Sequence, residues 1–350
     1  MNPAYQKIIA SSEDDQRGLF ITAANRIGTT VQNIEKDFWV CWTLDALFHR
    51  LNAGGPRLLF KGGTSLSKSY GLISRFSEDI DITVFRSDIG EEADFEQLEA
   101  LTKNQRIKRL NAIKTACQAY IGGKLRFELD AFGKVTMKAA GKDPTLLSVV
   151  LDDADGDRQS LLIHYPSAAE KSEYVTPSVK IESGAKSALD PNEDKTIVPY
   201  LGPDFTEGEG LAVTKVTTID PERTFLDKIL ILHGMTFYFE AKGVLRGNGR
   251  MSRHYYDVHR LMGAPVGETA CTDNVLIEDC LRHARMFFYR GNTGLDIAQR
   301  GSFRLRPTEP MLGSLRRDYE AMAAMIFGDV PSFETVLESV ERAEERLNTI

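Results

Sequence analysis

With 350 residues, 42% of them hydrophobic and 27% charged, the chain has the make-up of an ordinary globular protein of one large domain or two of usual size. A formal net charge of -7 and a pI near 5.5 argue against a surface coated for nucleic-acid binding, although a local basic groove is compatible with that total. Cys41, Cys117, Cys271 and Cys280 form no CxxC pair and have no zinc-like histidine spacing, which marks them as reduced thiols. The opening MNPAYQKIIASSEDDQ lacks an apolar signal core and no run approaches membrane-spanning length, so the expected location is cytoplasmic, with no membrane partner.

Residues 1–30 read as a polar, helical lead-in. A strong helix follows over residues 33–51, NIEKDFWVCWTLDALFHRL, with Cys41, Leu44, Leu47, Phe48 and Leu51 recurring at helical steps. Trp39 and Trp42 on this helix are assigned to the core and not to a base-stacking platform, because aromatic residues at helical spacing usually face inward. Gly54, Gly55 and Pro56 break the helix.

Residues 58–85, LLFKGGTSLSKSYGLISRFSEDIDITVF, carry the chemistry. A short apolar strand (Leu58, Leu59, Phe60) runs into a Lys61-Gly62-Gly63-Thr64 turn, then a helix of about ten residues, then a strand bearing Asp79 and Asp81. Residues two apart on a strand share a face, so the two carboxylates stand together while Ile80 and Ile82 point the other way. Their mutual repulsion is relieved by a divalent cation, and Mg²⁺, or Mn²⁺, suits carboxylates combined with substrate phosphates. Gly62 and Gly63 let the backbone approach a ligand and aim its N-H groups at an anion, and Thr64 and Ser65 add hydroxyls. A nucleoside triphosphate is the anion that matches this order. Arg75 and Ser77, just before the aspartates, are supporting candidates that either position the turn or contact phosphate, and Ser77 reads equally as a cap of the loop.

Residues 87–120 read as a charged, solvated helical run. Over residues 124–130 the period changes to two, with Leu125, Phe127 and Leu129 alternating with charged residues, which predicts a half-buried strand. Further strands are expected at residues 145–151, 160–165 and 178–182. The intervening DDADGDR (residues 152–158) lacks a full calcium-loop pattern and reads as a hairpin turn. Residues 189–210, rich in Pro, Gly, Asp and Glu, read as a loop or inter-domain connection.

Helices are expected from there on. Asp220-Pro221 is a good helix start, followed by PERTFLDKILILHGM; residues 253–261, 276–289, 311–327 and 333–347 complete the set. His254 and His259 are five apart and do not share a helix face; with His49, His164, His233 and His283 they are read as non-ligands. Residues 241–320 hold 13 Lys and Arg against 9 Asp and Glu, a mild basic excess that would suit an RNA acceptor.

A two-metal phosphoryl-transfer site needs a third carboxylate. Glu182 is the candidate, because Val179-Lys180-Ile181-Glu182 places Lys180 and Glu182 on one strand face. Asp130, on the expected strand at residues 124–130, is the rival. The run FKGGTSLSKSYGLISRFSEDIDI, with IEKDFWV before it and VKIESGAKS after it, resembles the AbiEii/AbiGii toxin family of nucleotidyltransferases, the enzyme half of a bacterial toxin-antitoxin and phage-defence system. The likeness continues through PERTFLDKI, SRHYYDVHRL and the C-terminal DYEAMAAMIFGDVPSFETVLESVERAEERLN.

The resemblance implies an α/β (α+β) fold, with a mixed sheet of the DNA polymerase β nucleotidyltransferase type and flanking helices over residues 1–205. A mainly helical domain over residues 206–350 would close the cleft. It makes Gly63 and Thr64 part of the triphosphate turn, Asp79 and Asp81 metal ligands, Glu182 the third acidic position, Lys228 the phosphate-contacting lysine and Asp257 the aspartate of the helical motif that follows it. On residues alone, Lys228 reads as a solvated helix lysine before it reads as a phosphate contact, and Asp257 as a base or as a partner of Arg253 or Arg260 one turn away. The implied activity is transfer of a nucleoside monophosphate from a triphosphate to an acceptor hydroxyl, with the 3′ end of tRNA as first acceptor and a cognate antitoxin as partner. A small-molecule adenylyltransferase and an interaction protein with a decayed site are the alternatives.

Overall fold

The computed structural model describes residues 2–51, 54–169, 177–245 and 250–349. Its contacts divide the chain into two compact units, one of residues 1–69, 76–93 and 103–218, the other of residues 70–75, 94–102 and 219–350. Among the described residues no helix is long and apolar enough to cross a membrane.

The first unit is built on a seven-stranded mixed sheet, as expected of the fold class. Its strands are β1 (Leu58–Lys61), β2 (Asp79–Val84), β3 (Ser148–Leu151), β4 (Ser160–His164), β5 (Ser178–Gly184), β6 (Asn192–Ile197) and β7 (Val213–Ile219). They lie in the order β3-β4-β5-β2-β1-β7-β6. β2 is antiparallel to β1 and parallel to β5, so the strand carrying the aspartates is paired on both edges. The β3 and β4 strands form an antiparallel pair joined by the DDADGDR turn, in which Asp152 and Asp155 accept N-H groups of Ala154 and Asp157. The stretch 189–210, expected to be a loop, contains β6 and two short 3-10 turns, and β7 follows it; polar side chains on an edge strand leave no apolar alternation to read.

Helices α1 (Pro3–Ala10) and α2 (Glu13–Ile27) form the lead-in. Ser12 caps α2 ahead of three acidic residues, and Gly28 ends it in the left-handed conformation. Helix α3 (Val31–Asp45) runs on as a π-helical turn, Ala46–Arg50. It is buried nearly all round, and Trp39 stacks on Tyr165 and Trp42 on Phe132, at centroid distances of 5.2 and 5.5 Å, so both tryptophans belong to the core. The helix after the glycine turn, α4 (Gly62–Lys68), is shorter than expected.

The predicted strand at residues 124–130 is a correction. These residues form the end of a π-helical turn, Ile121–Leu125, and the start of helix α7 (Arg126–Ala139); α5 (Phe95–Ala100) and α6 (Lys103–Tyr120) precede them. The alternation in composition is real, but burial follows the helix: Leu125, Leu129, Gly133, Thr136 and Met137 face inward, while Phe127 is 63% exposed. Asp130 is therefore on a helix, where its carboxylate accepts the Val149 N-H at 3.0 Å and pairs with Lys134 at 2.6 Å.

The second unit is mainly helical, with α8 (Pro221–Lys242), α9 (Ser252–Met262), α10 (Pro265–Thr272), α11 (Asn274–Phe287), α12 (Glu309–Ala323) and α13 (Phe333–Asn348). Pro221 sits at the first turn of α8, while Asp220 precedes it without a side-chain cap bond. Much of the basic excess of residues 241–320 is spent internally. Arg282 pairs with Glu96 and Glu99, Arg304 with Glu240, Arg306 with Glu341 and Glu344, and Arg316 with Glu334.

On an alternating strand Phe127 and Leu129 would be equivalent; on α7 they are not. Leu129→Ser is expected to cost about 3 kcal/mol and Phe127→Ser less than about 1 kcal/mol, measured by urea unfolding. Equal losses would contradict the helix.

Candidate active site

The candidate site grows from the strand register. In β2 Ile80 and Ile82 are fully buried on one face, which leaves Asp79 and Asp81 on the other. Asp79 lies opposite Lys180 and Asp81 opposite Glu182 on β5, while Asp81 also faces Lys61 at the end of β1. Cross-strand neighbours share a face, so Asp79, Asp81, Lys180 and Glu182 form one polar patch, with Ser160 of β4 next to Glu182.

The glycine turn is shaped by this patch. Gly62 has φ +78°, and a Cβ there would collide with the Asp81 carboxylate. Only glycine gives both that backbone conformation and that space. Gly63 follows in the first turn of α4. The Thr64 hydroxyl is fully buried, bonded to Ser77 Oγ at 2.8 Å and to the Asp79 carbonyl, and Ser65 Oγ donates to the Gly62 carbonyl at 2.9 Å. The Thr64 hydroxyl ties the turn to the start of β2, and the Ser65 hydroxyl closes the turn on itself. At the far end of α4, Lys68 pairs with Asp37 at 2.7 Å, both inaccessible, under the ring of Tyr200, whose N-H also bonds Asp37.

Charge is crowded at the start of β2. Burial, then the carboxylates of Glu78, Glu182 and Asp81, push the Asp79 carboxyl up to about 6, against the opposing pull of Lys36. Lys36, itself buried, pairs with Glu78. Lys180 lies between Glu182 at 2.9 Å and Asp152 at 3.2 Å; burial alone would lower its pKa, but these two carboxylates raise it. Among the described residues no three His, Cys, Asp or Glu side chains are gathered so as to hold a metal by themselves. The donors that are gathered, hard carboxylate oxygens on Asp79 and Asp81, with burial and neighbouring carboxylates disfavouring the charged form of Asp79, fit Mg²⁺ completed by phosphate and water oxygens.

Lys228 and Asp257 are brought together in the second unit, and Arg75 joins them. Asp257 is fully buried; its Oδ1 accepts from Arg75 Nε at 2.8 Å, and its Oδ2 from Arg75 Nη2 at 2.9 Å and from Lys228 Nζ at 2.8 Å. Burial would raise this carboxyl, yet Arg75 and Lys228 hold it well below the usual range. Its partners come from outside its own helix, in place of the one-turn neighbours Arg253 and Arg260; Arg260 instead donates to Ser74. Burial and the charges of Lys228 and Arg253 push the neighbouring His254 well down.

Lys36, Glu78 and Asp152 escaped the sequence reading, and Lys180 was placed beside Glu182 without being given a part in the site. Lys180 was visible in principle, because the alternation that placed Glu182 placed it on the same face. Lys36 was not, because a charge in a helix ordinarily marks a solvated side.

A family model described as "Nucleotidyl transferase AbiEii toxin, Type IV TA system" matches residues 45–339. Among solved structures, the nucleotidyltransferase toxin MenT4 of Mycobacterium tuberculosis H37Rv aligns over 95% of this chain and 99% of its own, at 16% identity and a TM-score of 0.43. No curated protein matches the sequence.

Because Asp79 titrates higher in the folded protein than in the unfolded chain, the folded state binds the extra proton; stability falls as pH rises from about 4 to about 6, and the cost is fully present above that. Asp79→Asn is expected to stabilise the metal-free protein by about 1–3 kcal/mol at pH 8 and by little at pH 4. Thermal unfolding at the two pH values checks it.

Proposed function

Given that the chain belongs to the AbiEii family of nucleotidyltransferase toxins of type IV toxin-antitoxin systems, we propose that it is a metal-dependent enzyme that transfers a nucleoside monophosphate to an acceptor hydroxyl, using Asp79, Asp81 and Glu182 at its centre. The observation that carries this reading is the register that sets Asp79 and Asp81 on one face of β2, with Glu182 directly opposite Asp81 and the Gly62 turn packed against the Asp81 carboxylate.

In the proposed reaction the acceptor oxygen attacks the α-phosphorus of the triphosphate. A new O-P bond forms, the bond to the β-phosphate oxygen breaks, pyrophosphate leaves and the hydroxyl proton is lost. Bound Mg²⁺ or Mn²⁺ would supply a lowered hydroxyl pKa and neutralise charge on the leaving pyrophosphate. The chain's own contribution is placement. Asp79 and Asp81 would hold the metal, with Glu182 as third ligand. Lys61, Gly62, Gly63, Thr64 and Ser65 would form the wall of the triphosphate site. In that wall the backbone N-H groups are the donors, since the Thr64 and Ser65 hydroxyls already brace the turn. Ser77 supports the same brace.

Asp257 and Arg75 would act as positioning residues for Lys228. A carboxylate held ionised between two cations is a poor proton acceptor, so Asp257 is better suited to fixing Lys228, the lysine assigned to the nucleotide phosphates, than to acting as a base. The proposed acceptor is the 3′ end of tRNA, with a cognate antitoxin as the regulatory partner. The basic excess after residue 240 gives this acceptor little independent support, because so many of those arginines are paired within the fold.

Incubation with each labelled triphosphate, Mg²⁺ and total tRNA is expected to label RNA, and periodate oxidation of the 3′ terminus to prevent it. Labelling that persists in the Asp79→Asn, Asp81→Asn double variant would sink the assigned chemistry. Asp257→Asn is expected to lower stability by about 3 kcal/mol, because it leaves Arg75 and Lys228 as buried, uncompensated cations; a melting temperature equal to that of the parent would contradict the clamp.

A further inference from the structure

The patch on β2 and β5 contains a cation of its own. Lys180 stands on the same face as Asp79, Asp81 and Glu182, directly across from Asp79, and its ammonium bonds Glu182 Oε1 at 2.9 Å. Its other partner, Asp152, is mostly buried and fixed by the β3-β4 turn, where its Oδ1 accepts the Ala154 N-H at 3.0 Å.

We propose that Lys180 is a positioning residue that holds Glu182 as an internal counter-cation in the metal-free protein and yields it when a divalent cation enters between Asp79 and Asp81. This rests on the reading of Asp79, Asp81 and Glu182 as the metal-binding set. Two facts beyond the ion pair support it. Without a cation the face carries like charges on adjacent strands, and Lys180 is seated among them across from Asp79, as Lys61 is across from Asp81 and Lys36 is beside Glu78. The anchor at Asp152 keeps the ammonium partnered after Glu182 turns away, so release need not leave a lysine stranded in a half-buried place. An interaction made only in the unloaded state weakens apparent metal affinity by its own equilibrium factor.

Mn²⁺ binding without nucleotide, followed by titration calorimetry and by the paramagnetic resonance of free Mn²⁺, separates the cases. Lys180→Met and the milder Lys180→Gln, which keeps a hydrogen-bonding group for Asp152, are expected to bind Mn²⁺ about three- to tenfold more tightly than the parent, as for a partly exposed pair worth about 1 kcal/mol. Lys180→Arg, which retains the charge, should stay near the parent. In a Glu182→Gln background the gain from Lys180→Gln should vanish, because the two residues act as one pair. Should both uncharged variants bind Mn²⁺ no more tightly than the parent while the Asp79→Asn, Asp81→Asn variant loses binding, Lys180 is only a structural pair and the proposal fails on its own. Parent-like binding by the aspartate double variant would instead remove the metal-site reading and the proposal with it. Parallel thermal unfolding guards against a folding artefact, since a purely structural lysine would lower the melting temperature without enlarging the Mn²⁺-induced rise.

Discussion

Like charge concentrated on one face of a sheet is the constraint around which the first unit is arranged. Asp79 and Asp81 project from a strand paired on both edges, so neither can swing away by fraying the backbone, and Glu182 is held to them by register. The surroundings accommodate this in three ways. Gly62 gives the Asp81 carboxylate room that any side chain would take. Lys36 and Lys180 each take up a neighbouring carboxylate. The Thr64 hydroxyl, bonded to Ser77 Oγ and to the Asp79 carbonyl, braces the backbone at the start of β2. A folded state strained by its own charges gains from a ligand that neutralises them, which is how stability is exchanged for binding at many functional sites.

The second unit solves the opposite problem. There a single buried carboxylate, Asp257, satisfies an arginine and a lysine at once, and the pair of parallel bonds from Arg75 fixes its plane. Arg75 reaches it from the segment 70–75, which belongs to the helical unit although it lies in sequence between the glycine turn and the aspartate strand. The chain between α4 and β2 thus contributes to two compact units within a few residues. Its Arg75 backbone bridges Ile326, and the Ser74 carbonyl accepts the N-H of Phe327. An arginine that reads in sequence as a supporting residue, positioning the turn or contacting phosphate, is engaged here by a carboxylate 182 positions away.

Where sequence reasoning failed, the cause was local pattern overruled by packing. Residues 124–130 alternate apolar and charged side chains as a strand does, yet seven residues are too few to separate period two from period 3.6 when both place Leu125 and Leu129 inside. The decision came from what followed, since Gly133, Thr136 and Met137 extend the buried stripe along α7 and Gly133 lets Leu147 pack against the helix. With that, Asp130 lies on a helix, bonded to the Val149 N-H and to Lys134, and not on the strand expected for it. The β6 strand was missed for the complementary reason: an edge strand of polar residues carries little hydrophobic signal to read.

The sequence by itself determined the family, the mixed α/β class, the glycine turn before a helix, and the aspartate pair on one strand face, because each depends on residues adjacent in the chain and on the two-residue repeat of a strand. Spacing alone also put Lys180 beside Glu182. The tertiary structure decided that Glu182 and not Asp130 faces Asp81, that Asp257 closes on Arg75 and Lys228, and that Lys36 and Asp152 are drawn in as counter-charges. Those outcomes turn on strand register and on contacts between residues far apart in the chain, and on burial that makes a charge choose a partner; none of these is carried by local periodicity. The feature that unites both levels is Gly62, legible in sequence as a turn and explained in three dimensions by the carboxylate that fills the space of its absent side chain.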